Sequence, residues 1–98
     1  MDEVARGYIE SVIDDLLKYD VVPNVEWLGG EATIKSLSDL ALGYMVGGVQ
    51  AFAVSMLSVT SLYKGSRGVS EEDRTEVRAI IKRRIPEFVQ KITKEMYK

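Results

Sequence analysis

The sequence predicts an all-α protein, a three-helix protomer with a long apolar central helix whose packing is completed by oligomerisation. Three observations carry this expectation. Apolar residues recur at helical spacing in the first and last thirds of the chain. Between them, Leu40 to Leu62 is a run of 23 residues without a formal charge. A helix apolar on every side must be covered on every side, and two neighbours cover only part of its circumference. A chain of 98 residues has little material to supply a third, since scaling gives about 5,600 Å² of folded surface and one modest core. Residues 1–98 are expected to form a single helical domain.

The first helix is expected from Asp2 to about Tyr19. Ala5, Tyr8, Ile9, Val12, Ile13, Leu16 and Leu17 share one face, and Glu3, Glu10, Asp14 and Lys18 the other. Acids in its first turn suit the positive end of the helix dipole, and Asp14 and Lys18 have the spacing of an i,i+4 pair. Pro23 and Gly29-Gly30 then interrupt the pattern. A single turn over 24–28 is expected there with Asn24 as its N-cap, and Trp27 is expected to plug the end of the bundle.

The central helix is expected to begin between Glu31 and Ser36 and to run to Tyr63. At 100° per residue, Ile34, Leu37, Ala41, Met45, Gly48, Phe52, Met56, Val59 and Tyr63 form a stripe of large side chains broken by small ones. A second row reads Gly43, Gly47, Ala51 and Ser55, a shallow groove where another helix can approach closely. Glycine inside a helix costs about 1 kcal/mol against alanine, so Gly43, Gly47 and Gly48 point to close packing as the compensation. Gln50 is the strongly polar side chain near the middle of the run. Across two crossing helices, a Gln50 to Gln50 hydrogen bond would fix the register, as a buried Asn does in coiled coils. The expected oligomer interface is therefore Gly43, Gly47, Gln50, Ala51 and Ser55.

Lys64-Gly65-Ser66-Arg67-Gly68 reads as a turn with Gly65 at the C′ position. It resembles the G-x-x-G loop of KH domains over four residues. No strands flank it, and Glu71, Glu72 and Asp73 place negative charge where a phosphate would lie. Ser70 is the expected N-cap of the third helix, whose apolar series Val77, Ile81, Ile85, Phe88, Val89, Ile92 and Met96 keeps register through Pro86. A kink there, or a split into two helices, is expected.

The chain has no cysteine and no histidine. Thiolate and imidazole metal sites, Ser-His and Cys-His nucleophiles and the usual haem ligands are excluded, leaving carboxylates as the only good metal ligands. The carboxylate pairs, such as Glu10 with Asp14, lie on outer helix faces or beside arginines, unlike the inward carboxylates of bundle metal sites. No catalytic, metal or cofactor residue is expected, and no cofactor. One Asn, two Gln and 29% charged residues give a thermophile-like composition.

Net charge is −2, but its distribution is lopsided. Residues 1–40 hold nine acids and three bases, and residues 64–98 hold ten bases and six acids. The two ends are expected to attract one another. The function expected is that of a homo-oligomerising interaction or structural protein, a homodimer or higher homo-oligomer, without catalytic activity and with an unidentified protein partner. One alternative is a nucleic-acid-associated protein using Arg83, Arg84, Lys91, Lys94 and Lys98 on one flank of the third helix. Another is a single-span membrane protein through residues 40–62, which have the required length and carry the Gly43-x-x-x-Gly47 spacing of membrane helix dimers. Nearly half of that run is Gly, Ala, Ser, Thr or Gln, which favours a water-soluble bundle. Met1 to Glu10 lacks the basic and apolar pattern of a secretory signal, so a cytoplasmic location is expected.

Overall fold

Local capping sets the helix ends. The computed structural model describes residues 1–27, 36–63, 65 and 68–97. Over these the chain is all-α, with α1 (Glu3–Leu16), α2 (Pro23–Glu26), α3 (Leu37–Tyr63) and α4 (Glu71–Met96). Asp2 caps α1 by accepting the Ala5 N–H at 2.8 Å. Ser36 Oγ accepts the Asp39 N–H at 3.2 Å at the start of α3, and Ser70 accepts the Asp73 N–H at 3.1 Å at the start of α4. Gly65 takes a φ of +77° just past α3, the left-handed conformation that its C′ position requires. Gly29-Gly30, Ile34 and the Glu31 to Lys35 start expected for the central helix lie outside the described residues, as do Lys64, Ser66, Arg67 and Lys98.

α3 and α4 form an antiparallel helical hairpin, with Gln50 beside Arg78 and Ile81, and Leu42 beside Val89. α1 lies antiparallel to α3 and parallel to α4, joining the same hydrophobic cluster through Ile9 and Ile13. Phe88, Ile9, Ile13 and Met45 are its largest fully enclosed side chains. α4 is one continuous helix through Pro86, in line with the unbroken apolar register, so the alternative of two helices does not hold. Pro86 is exposed, which leaves the carbonyl four residues before it, without its amide donor, free to meet water.

Several expectations are corrected. Tyr8 is 59% exposed rather than part of the buried face of α1. Lys18 pairs with Asp15 at 3.4 Å, because Asp14 is engaged elsewhere. In α2, Pro23 occupies the first turn and no side chain caps the N-terminus, so Asn24 is not the cap; its amide donates to the Asp20 carbonyl. Trp27 does not plug the bundle. Its ring is 68% exposed, and its indole N–H bonds the Asn24 carbonyl at 2.9 Å.

The buried row of α3 is Ala41, Met45, Val49, Ala53 and Leu57. Four-residue steps turn about 40° around the axis each time, so this row winds as it follows its neighbours. The expected stripe breaks up accordingly: Ala41 and Met45 are buried, while Gly48, Phe52, Val59 and Tyr63 are exposed.

Candidate oligomer interface

Two residues along the helix is a rotation of about 200°, so the row offset by two from the buried one points the opposite way. That row is Gly43, Gly47, Ala51 and Ser55, and all four are exposed. A Cβ built at Gly43, Gly47 or Gly48 meets nothing within 4 Å. Nothing in the protomer therefore requires glycine at these positions, although together they cost α3 about 2–3 kcal/mol of helix propensity. Tyr44 and Phe52 border the groove at 48% and 39% exposure, and Val59, Leu62 and Tyr63 extend the apolar surface toward the end of the helix. On α1, Val4 and Tyr8 continue it beside Met56 and Thr60. Size and hydropathy alone do not mark these flanking aromatics as exposed, because exposure depends on which neighbours cover them.

The protomer is also over-exposed for its size. Its accessible surface is 6674 Å², about 1,000 Å² above what scaling gives for an 11.0 kDa globular chain. Its radius of gyration is 15.2 Å, where about 13 Å is usual. Of eight aromatic side chains only Phe88 is buried. The surplus is close to the roughly 800 Å² that each partner contributes to a standard protein interface.

Gln50 does not lie in the exposed row. It sits half-buried on the α4 side of α3, with Val46, Ile81 and Ile85 around it. The five expected interface residues thus divide into a four-residue groove and one side chain about 100° from Ala51.

The expected basic set separates in the same manner. Arg84, only 12% exposed, donates to Glu10 at 3.2 Å, to Asp14 at 2.6 Å and to Glu87. Arg83 donates to Glu10 at 2.7 Å, and Lys91 lies 3.6 Å from Asp20. Lys94 is exposed. Three of the five are therefore turned into a seam that binds α1 and its continuation to α4. The seam extends to Arg6 with Glu76 at one end and to Glu95 at the other. There Glu95 Oε1 accepts the Val21 and Val22 N–H groups at 2.6 and 3.3 Å. The hydrogen bond to Glu87, then those to Asp14 and Glu10, hold the Arg84 guanidinium above its ordinary pKa against partial burial. Arg6 likewise holds the Glu76 carboxyl below its ordinary value.

α3 is long and apolar enough to cross a membrane, and 28% of its most apolar window is buried within the fold. Comparison with known proteins gives no lead on any of these surfaces: no family model, no curated protein and no solved structure matches the chain.

Proposed function

We propose that this protein is a non-enzymatic structural or interaction module that acts as a homodimer, two copies meeting through the outer face of α3. The observation that carries the reading is the open small-residue row, set in a protomer with about 1,000 Å² of surplus surface. Rows of this kind interlock at a crossing of about −50°. Gly43, Gly47 and Ala51 would let the two axes approach closely, and Tyr44 and Phe52 would pack around the crossing point. The dispersion gained there would offset the glycine cost that the protomer leaves uncompensated.

A lipid-embedded α3 is the weaker alternative. α4 lies along α3 and carries thirteen charged residues between Glu71 and Glu95, so burying α3 in hydrocarbon would drag charges in or strip the hairpin apart. The reading therefore keeps α3 in water rather than in lipid. Nucleic-acid binding through Arg83, Arg84 and Lys91 is weakened because these side chains already neutralise Glu10, Asp14, Glu87 and Asp20.

The test is the molar mass of the full chain in detergent-free buffer, for the wild type and Gly47→Leu. The wild type is expected at twice 11.0 kDa, and the variant at 11.0 kDa with unchanged helical circular dichroism, since the protomer has room for the side chain. A wild-type monomer at micromolar concentration, or a Gly47→Leu protein of unchanged mass, would overturn the reading. A wild type that stays in solution only with detergent would give α3 to lipid.

A further inference from the structure

The two flanks of α4 differ in how their bases are used. On the flank facing α1, Arg83, Arg84 and Lys91 each have a carboxylate partner. On the other, Arg74, Arg78 and Lys82 follow one another at four-residue spacing, and among the described residues none of their side chains makes an ion pair or hydrogen bond. α3, which lies beside this flank, contributes no charge from Leu40 to Leu62 to offset them. Glu71, one turn before Arg74, is the acid nearest the row in sequence on this flank.

Beneath these cations runs an apolar groove. Val46 and Gln50 form its α3 wall and Ile81 and Ile85 its α4 wall, with Arg78 and Lys82 at the rim. A second recess lies further along the same hairpin, lined by Leu42, Val89 and Asp39. Along α4, Arg74 to Val89 spans about 22 Å, the length of about 15 residues of helix. The polarity of this face is set by the fold, with positive charge at the Arg74 end and Asp39 at the other.

We infer that this groove docks an acidic amphipathic helix of a partner protein, its apolar stripe on Val46, Ile81 and Ile85 and its acidic end against Arg74, Arg78 and Lys82. Charge complementarity selects an acidic occupant. The aliphatic floor selects a helix over a nucleic acid, because no aromatic side chain lines the groove to stack a base. The groove and the small-residue row are separate but adjoining surfaces, since Gln50 lies about 60° around the axis from Gly47, and the molar mass of the variants distinguishes a partner helix from a second copy.

The probe is a fluorescent synthetic helix of about 15 residues, with leucines at i, i+3, i+4 and i+7 spacing and glutamates flanking them at one end. Its anisotropy is titrated with the full-length protein. Saturable binding is expected, weakened about tenfold in the triple variant Arg74→Gln, Arg78→Gln, Lys82→Gln, and two- to threefold by Arg78→Gln alone, as roughly 0.5 kcal/mol per exposed pair implies. A peptide of the same composition with its leucines scrambled is expected to bind at least about tenfold more weakly. The proposal fails if the helix does not bind, if the variants bind it unchanged, or if the scrambled peptide or a single-stranded oligonucleotide binds as tightly. It also fails if the triple variant has a lower molar mass than the wild type, which would assign the groove to a second copy.

Discussion

The inner and outer faces of α3 are built from the same material and meet different fates. The inner row Ala41, Met45, Val49, Ala53, Leu57 and the outer row Gly43, Gly47, Ala51, Ser55 are both uncharged, both spaced by four, and opposite one another on the helix. The first is buried and the second open. What separates them is the cover that the rest of the chain provides. α4 and α1 reach one side of the spine, α1 through the buried Ile9 and Ile13 and through the ion pairs of Glu10 and Asp14 with Arg84. The general point is that an apolar helix acquires an inside only where neighbours cover it, and here α4 and α1 cover one side through Val77, Ile81, Phe88, Ile9 and Ile13 while a charged seam joins α1 to α4.

The sharpest way to break this comparison is to cut into the covered face. Met45 is fully buried, and Met45→Ala is expected to cost about 2–5 kcal/mol in denaturant unfolding, far more than any truncation on the outer row. A smaller effect is expected from loosening the cover itself. Arg84→Ala removes one guanidinium from three carboxylates, and a loss of about 1–3 kcal/mol is expected, between the values for surface and buried pairs. If α1 is held mainly by its apolar contacts, Arg84→Ala will instead unfold like the wild type. Gly47→Leu, smallest in its effect on the protomer, separates the outer face from the inner one, because it is expected to change mass without lowering protomer stability.

What was legible in the sequence was local. Helix class, the Ser70 cap and the Gly65 turn depend on residues within a few positions of one another, and each is where its neighbours imply. The phase of α3 was not legible. Amphipathic contrast is what orients a helix in a sequence, and a run without charge has almost none, so the stripe through Phe52 and Val59 looked as good as the true one through Val49 and Ala53. The small row was visible because glycine is conspicuous in a helix whatever lies around it. Trp27 and Tyr8 misled for a different reason: their size suggested burial, whereas exposure is decided by whether another element arrives. The basic residues of α4 were recognised as pairing with the acidic first helix, but which bases turn toward it depends on the register of two elements some 70 residues apart.

Glu95 binds the amides of Val21 and Val22 across 74 and 73 residues of a 98-residue chain. Among the described residues nearly every other backbone bond is made within a helical turn or two, so this clasp spans most of the chain and requires the last turn of α4 to lie beside the end of α1. The clasp is therefore lost whenever either the end of α1 or the last turn of α4 opens. Amide exchange at Val21 and Val22 is expected to outpace that at Val49 and Val77, making the junction between α1 and α2 the place where the native protein first lets water in.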